Sequence, residues 1–262
     1  MISIRENMLK LATVCSFICC CVVNAHEGHE HLKKLAPRTL LKSTTGKQGQ
    51  ITIKLASSKL VDGDITVKLI GIPHLASESY ASGLKDQLLN KGPILVEGLL
   101  KASLEAKPSL EIKPLIELQK KYQNSAAKFH LQLVDTVLVF TGRKVKIADI
   151  SLKNFGALPN EQRQSVLLDV PDDKKSLKRL LGEFDEVPYF IGASSIHSLR
   201  DDVLIAEMHH QLIRGKKNIT MIVSAARMPG LEVRLQKQRF MIKATKWHAV
   251  WVYPASPPSV GK

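Results

Sequence analysis

An alternation of strand and helix patterns between residues 65 and 98 limits this chain to few folds. The run 65–72 is rich in β-branched residues, and 77–90 has the caps and apolar spacing of an amphipathic helix. A short apolar strand at 93–98 follows and carries Glu97 near its end. Strand, helix and strand at this spacing predict a βαβ unit with two parallel strands.

The last third of the chain repeats the alternation. A long helix pattern at 195–214 leads into an apolar strand pattern at 218–223, and a further helix pattern ends at Gln238. The closing runs 240–245 and 249–253 predict two strands in a terminal hairpin.

The start and the middle of the chain differ in pattern. Runs at 51–55 and 65–72, separated by Asp62-Gly63-Asp64, predict a hairpin or an edge pair of strands. The stretch 99–185 shows helix-length apolar spacing without a strong strand signal, which predicts a helical excursion from the sheet. Its expected helices are 114–123, 126–134, 160–170 and 176–182.

These patterns predict the α/β class, with a mixed central sheet flanked by helices and a helical excursion in the middle of the chain. The expected domain covers residues 51–255, and 256–262 form a short C-terminal tail. A composition of 44% apolar and 24% charged residues is typical of a soluble globular protein.

Residues 1–25 have the order of a cleavable secretory signal. A short basic start precedes an apolar run from Leu11 to Val23, and small residues precede an expected cut ahead of His26. About 13 apolar residues fall short of the roughly 20 that cross a bilayer, so the cleaved chain is not expected to be transmembrane. The prediction is an exported protein, with the periplasm of a Gram-negative bacterium as the expected compartment. All four cysteines lie in this segment, so the mature chain would have no disulfide.

A polar tail is expected at residues 26–50, and it opens with His26-Glu27-Gly28-His29-Glu30-His31. The imidazoles of His26, His29 and His31 are close enough in sequence to chelate zinc, copper or nickel without a fold around them. A solvated tail without a metal is the alternative.

The chain is basic, with a formal net charge of +14. Its lysines are scattered rather than grouped in one block, and an exported protein meets little nucleic acid, so no nucleic-acid partner is expected. An anionic envelope surface is the expected counterpart, and a solvated basic surface without a dedicated partner is the alternative.

Three predicted strand ends carry polar residues beside glycine or proline: His74, Glu97 and Arg227. Ligands of open α/β sheets bind beyond the carboxyl ends of the strands, where loops converge. A histidine and a carboxylate are the usual ligands of a catalytic divalent metal, although a buried structural histidine would also fit. Arg227 at a strand-to-helix turn would bind an anion or pair with Glu97.

The long predicted helix adds further polar residues, and they cannot all belong to one site because adjacent helix positions point apart. His209 and His210 are expected on the surface. The full set is Arg200, Asp201, Asp202, Glu207, His209 and His210.

Four segments resemble the TraB/GumN family, which includes the TIKI-type metallopeptidases and lies near the ChaN-like and erythromycin-esterase-like proteins. The first, LIGIPHLASESYASGLKDQLLNKGPILVEGL, has a GxxH motif, a tyrosine-bearing helix and a strand ending in glutamate, as in that family. The others are FHLQLVDTVLVFTGRKVKIADIS, SLRDDVLIAEM and SAARMPGLEVRLQKQRF, the last followed by two tryptophans. The residues that match are Gly71, His74, Tyr80, Glu97, Leu131, Gln132, Asp135, Ala148, Asp149, Arg200, Asp201, Trp247 and Trp251.

The resemblance implies a hydrolase of peptide or ester bonds or of another small-molecule substrate, dependent on a divalent metal such as Mn, Co or Zn. His74 and Glu97 would bind the metal or activate water, and Arg200 and Arg227 would hold substrate anions or the oxyanion. The chain departs from the family where a second GxxH motif should stand, because Ser224 and Arg227 replace its glycine and histidine. Arginine is neither a metal ligand nor a neutral base. The alternative is therefore a pseudoenzyme or other non-catalytic binding protein. It would bind metal or haem through the tail and the cleft, or it would bind an anionic envelope component through its basic surface.

Overall fold

The computed structural model describes residues 40–46, 50–86, 92–98, 109–134, 145–164 and 196–253. The predicted signal segment, the histidines of the tail, the helix 176–182 and the C-terminal tail lie outside these residues. None of the helices in the described ranges is long and apolar enough to span a membrane.

The strands and helices are labelled here in chain order. The strands are β1 Leu41–Thr45, β2 Ile51–Asp62, β3 Ile65–Ile72, β4 Leu75–Ala76, β5 Ile94–Val96, β6 Gln132–Leu133, β7 Val145–Ile147, β8 Asn218–Ser224 and β9 Met241–Tyr253. The helices are α1 Glu78–Asp86, α2 Lys113–Phe129, α3 Leu152–Gly156, α4 Asn160–Gln164, α5 Ile196–Ile213 and α6 Met228–Lys237.

A mixed sheet organises the described part of the chain. Strands β3, β8, β5 and β7 lie side by side in this order and run parallel. Strand β2 pairs antiparallel with β3 on one edge and with β9 on the other, and β1 pairs with the start of β2. The α/β class with a mixed sheet is confirmed. The predicted βαβ unit is also present, with β8 lying between its two strands.

The predicted terminal hairpin is wrong, because β9 is one continuous strand. It follows β2 from Ile51 opposite Tyr253 to Val61 opposite Met241. The register shifts at Val250 and at Lys243, each of which is an extra residue on β9 and therefore a β-bulge. Pairing along the whole of β2 keeps the polar stretch between the two predicted strands extended.

The middle of the chain contains strands where helices were expected. Helix α2 continues through both of the first two predicted helices but ends at Phe129, because His130 adopts a left-handed conformation with φ 52°. Strand β6 then pairs with β4, and β7 pairs with β5 at the sheet edge. These strands are two and three residues long, too short for an alternating pattern to reveal. Strand β1 lies within the range predicted as a polar tail. Its sequence, LKSTT, contains a single apolar residue, so it gave no strand pattern either.

Alternating residues of the strands divide between two cores. On the front face, α1 and α2 cover Ile70, Ile72 and Ile222. On the back face, α5 and α6 cover Leu69, Met221 and Val223. Because β3, β8, β5 and β7 run parallel, their carboxyl ends lie together at one end of the sheet.

Candidate functional site

The four parallel strands end in polar residues that lie side by side. In the order of the sheet these are His74 after β3, Arg227 after β8, Glu97 after β5 and Asp149 after β7. The start of α5 adds Arg200 and Asp201. We call these six residues the strand-end network.

Glu97 is the centre of this network. Its carboxylate is buried, and Oε2 accepts hydrogen bonds from Arg227 Nη1 at 2.7 Å and from Arg200 Nη2 at 3.1 Å. Its other oxygen, Oε1, lies 4.0 Å from His74 Nε2. One carboxylate therefore faces two guanidinium groups on one side and an imidazole on the other.

Asp149 binds Arg200 in a bidentate arrangement. Arg200 donates from Nε to Oδ1 at 2.9 Å and from Nη2 to Oδ2 at 2.8 Å, and the Gly98 N–H donates to Oδ2 at 3.0 Å. Asp149 was not predicted as a site residue. The sequence signal for it was its place among the residues that match the TraB/GumN motifs.

Arg227 binds Asp201 as well as Glu97. Its Nε and Nη2 donate to Asp201 Oδ1 at 2.8 and 2.6 Å. Arg200 and Asp201 are adjacent on α5, yet both join the network, because Arg200 reaches β5 and β7 while Asp201 reaches the turn after β8. The expectation that the six polar residues of this helix cannot all belong to one site still holds, because only these two join the network.

The other polar residues of α5 lie elsewhere, as expected. Asp202 pairs with Arg234 on the surface, and His209 Nε2 lies 3.0 Å from Gln238 Oε1. His210 is exposed and lies 3.6 Å from Glu207.

The arginines keep two of the carboxyl groups ionised. Burial alone would raise the pKa of Glu97, but Arg200, Arg227 and His74 outweigh it and hold this pKa below the usual value. Burial has the same effect on Asp149, and Arg200 outweighs it and lowers the pKa to about 2. For Asp201 burial is the larger influence, so its pKa is raised despite Arg227.

His74 is the member of the network with the most open side chain, 20% exposed. Its ring lies 4.8 Å from the ring of Tyr122 on α2, and its carbonyl accepts a hydrogen bond from the Val134 N–H at 2.8 Å. Tyr80 of α1 donates from its hydroxyl to the Gly71 carbonyl at 3.3 Å, which ties this helix to the end of β3. The imidazole is thus held by both α2 and β3 while part of it faces outward.

All four residues predicted as catalytic lie together, but Arg227 is not placed to bind a substrate anion. Its side chain is 1% exposed, and Nε, Nη1 and Nη2 all donate to carboxylates. Of the two interpretations offered by the sequence, pairing with Glu97 describes its contacts. Arg200 is 10% exposed, and its Nη1 has no hydrogen-bond partner among the described residues.

A divalent metal does not fit the donors around Glu97. The Oε2 atom already accepts from two guanidinium groups, and a metal bound between His74 and Glu97 would face the positive charges of Arg200 and Arg227 at close range. Among the described residues, no three acidic, histidine or cysteine side chains are arranged to hold a metal ion. The metal ligands predicted in the tail, His26, His29 and His31, lie outside the described ranges, and that prediction stands as it was.

No family model, curated protein or solved structure matches this chain, so its resemblance to TraB/GumN proteins remains a prediction from its motifs.

Proposed function

We propose that this protein is an exported hydrolase of peptide or ester bonds in which His74, backed by Glu97, acts as the general base without a metal. The observation that carries the proposal is the 4.0 Å approach of His74 Nε2 to Glu97 Oε1 at the strand ends. A partly exposed imidazole beside a buried, ionised carboxylate supports a role for His74 as a general base.

In the proposed reaction, His74 takes a proton from a water molecule as the water oxygen attacks the carbonyl carbon of the substrate. Glu97 stabilises the imidazolium that forms, because its own carboxylate stays ionised. The same imidazolium returns the proton to the leaving amine or alcohol as the carbon–nitrogen or carbon–oxygen bond breaks. Protons therefore balance over one cycle.

Arg200 and Arg227 have different parts in this proposal. Arg200 Nη1 is the cationic donor available for the negative charge that develops on the carbonyl oxygen. Arg227 is a positioning residue, because its three nitrogens hold Glu97 and Asp201. In this proposal, Arg227 stands where the family motif has a histidine. The position therefore carries a group that holds Glu97 by a hydrogen bond in place of a metal ligand.

The test is turnover of a peptide and ester panel by the chain that starts at His26, with EDTA and with added Mn²⁺, Co²⁺ or Zn²⁺. We expect activity that EDTA does not remove, and a loss of about 10²–10⁴-fold in His74→Ala. His209→Ala is the matched control, because His209 is an exposed histidine on α5 outside the network. Activity that appears only with a metal would contradict the metal-free reaction, and activity retained in His74→Ala would contradict the role of the imidazole.

Export is part of the same proposal and is tested separately. We expect the protein in the periplasmic fraction to begin at His26 when its N-terminus is sequenced. An intact N-terminus in the cytosol would contradict it.

The three histidines within His26–His31 favour a second candidate function, which is metal or haem capture by the tail. Calorimetry with Cu²⁺, Zn²⁺, Ni²⁺ and haem, with and without residues 26–31, tests it. Heats that persist after the deletion would exclude the tail as the binding site.

A further inference from the structure

The front face of the sheet changes from apolar to basic along its strands. Toward the carboxyl ends of β3 and β8 it presents Ile70, Ile72 and Ile222, which α1 and α2 cover. Two residues earlier on each strand, the same face presents Lys68 and Thr220. The strand-end network therefore has a basic counterpart at the opposite ends of the same strands.

The register brings three lysines of this face together. Lys59 on β2 is directly opposite Lys68 on β3, and Lys246 on β9 is directly opposite Ser57, two residues from Lys59. Directly opposite like charges destabilise a sheet, and diagonal neighbours are also within reach of long side chains. These residues therefore form one positively charged patch on the front face.

The electrostatic environment agrees with this crowding. Burial lowers the pKa of Lys68, and the charge of Lys246 lowers it further. Burial also lowers the pKa of His248, with added contributions from Lys68 and Lys246. His248 Nε2 lies 2.9 Å from Ser57 Oγ, which places both groups beside the lysines.

These residues line a cavity of about 920 Å³. Its walls also include Thr220 and the backbone at Gly92, and its described lining residues include no carboxylate. Lys217 at the rim pairs with the exposed Asp64, outside the group of three lysines. A cavity of this size is in the range that accepts a small organic ligand rather than a single ion.

We propose that this cavity binds a phosphate-bearing ligand, with Lys59, Lys68 and Lys246 around the phosphate and Ser57 and Thr220 as hydroxyl donors. Three ammonium groups in one patch match the multiple charge of a phosphate ester, and lysine binds phosphate as a compact point charge. A carboxylate carries a single charge and leaves most of the repulsion in place. The proposal does not depend on the hydrolase, because none of these residues belongs to the strand-end network.

Calorimetry with glycerol 3-phosphate, inorganic phosphate and vesicles of phosphatidylcholine with and without phosphatidic acid tests the proposal. We expect Lys68→Met and Lys246→Met each to weaken binding of a phosphate ester about tenfold, which is the loss of one charge-assisted contact. Lys121→Met is the matched control, since Lys121 is an exposed lysine on α2. Lysine-dependent binding of the soluble ester identifies a soluble ligand, and lysine-dependent binding of the acidic vesicles alone identifies a lipid headgroup.

The proposal is overturned if no phosphate probe binds, or if Lys68→Met and Lys246→Met bind as tightly as Lys121→Met. His74→Ala is expected to bind phosphate like the unmodified chain. A failed hydrolase assay would therefore not count against phosphate binding.

Thermal unfolding provides a second readout that a purely structural lysine would not give. In phosphate-free buffer, Lys68→Met should raise the midpoint of thermal unfolding, because it removes a partly buried charge and its repulsion with Lys246. Glycerol 3-phosphate should then raise the midpoint of the unmodified chain but not that of the variant. A rise of the same size in Lys68→Met as in the unmodified chain would contradict the proposal that Lys68 contacts the phosphate.

Discussion

At the scale of single residues, the strand-end network depends on mutual compensation of buried charges. Glu97, Asp201 and Arg227 are each more than nine-tenths buried. Burying an ionised group costs several kcal/mol, and this cost is recovered only if the partner charges and hydrogen bonds remain in place. Loss of one member should therefore leave the others as uncompensated charges.

Arg227→Met tests this compensation. We expect it to lower the free energy of unfolding by about 3–5 kcal/mol, because it leaves Glu97 and Asp201 buried without their shared guanidinium. The matched control is Arg234→Met, which breaks a pair with the exposed Asp202 and should cost at most about 1 kcal/mol. Urea denaturation monitored by circular dichroism measures both values. Equal costs for the two variants would mean that the network does not stabilise the fold as its burial indicates.

The lowered pKa of Asp149 predicts a specific response to acid. This pKa is 3.8 in the unfolded chain and about 2 in the folded protein. The Asp149–Arg200 pair therefore stabilises the folded protein above pH 4, and this stabilisation is lost as the pH falls toward 2. The contribution at neutral pH is about 2 kcal/mol. Asp149→Asn should therefore be less stable at pH 7 and should lose less stability between pH 4 and pH 2. The same titration of Asp202→Asn, which removes an exposed carboxylate, is the control, and identical acid profiles for Asp149→Asn and the unmodified chain would refute the linkage.

Apart from Arg200, which the TraB/GumN resemblance indicated, site residues could be predicted only where a residue ended a recognisable strand. His74, Glu97 and Arg227 follow apolar runs long enough to identify, and the convergence of parallel strands then places them together. Asp149 follows Val145–Ile147, in which Lys146 interrupts the apolar pattern, so the same rule gave no indication of it. The pairing of Arg227 with Asp201 depends on where α5 crosses the strand ends, and no local pattern contains that information.

At the scale of elements, length and an unbroken apolar pattern together decide which strands can be predicted. Strand β3 was predicted with its bounds as observed, because eight residues carry a clear β-branched pattern. Strands β1, β6 and β7 are too short or too polar to give a recognisable strand pattern, and pairing with β2, β4 and β5 keeps them extended. Residues 246–248 of β9 were predicted as a break between two strands for a related reason, since pairing with the distant strand β2 keeps the backbone extended there.

The junction between β5 and β8 depends on one close backbone approach. A Cβ atom at Gly92 would lie 1.8 Å from the carbonyl oxygen of Asn218, and neither backbone can move without breaking the pairing of the two strands. We expect Gly92→Ala to cost about 3 kcal/mol or more, at the upper end of overpacking effects. Gly83→Ala on α1 is the matched control, because its Cβ would meet no atom within 4 Å and alanine should stabilise the helix by about 0.5–1 kcal/mol. Thermal unfolding of both variants gives the comparison, and a neutral Gly92→Ala would show that the two strands separate more easily than this approach indicates.

At the scale of the whole molecule, the sheet separates two groups of charge along the same strands. Lys68 lies four residues before Ile72 on β3, which is about 13 Å of extended strand, and the buried residues of the front face lie between the lysines and the strand-end network. Glu97 accepts hydrogen bonds from Arg200 and Arg227, whereas Ser57 beside the lysines is bonded to His248. The fold can therefore keep a buried network at one end and a basic cavity at the other without direct electrostatic contact.

This separation predicts that the two ends contribute independently to stability. In phosphate-free buffer the free energies of unfolding of Arg227→Met, Lys68→Met and the double variant should form a cycle with a coupling below about 0.5 kcal/mol, as expected for residues more than about 7–10 Å apart with no shared partner. The two single changes are expected to have opposite signs, since one removes a needed partner charge and the other removes a repulsion. The comparison cycle is Arg227→Met with Asp201→Asn, two residues in direct contact, which should show strong coupling. A coupling between positions 227 and 68 as large as that of the contact pair would mean that the charges act on each other through the sheet, and the two sites would then have to be treated as one.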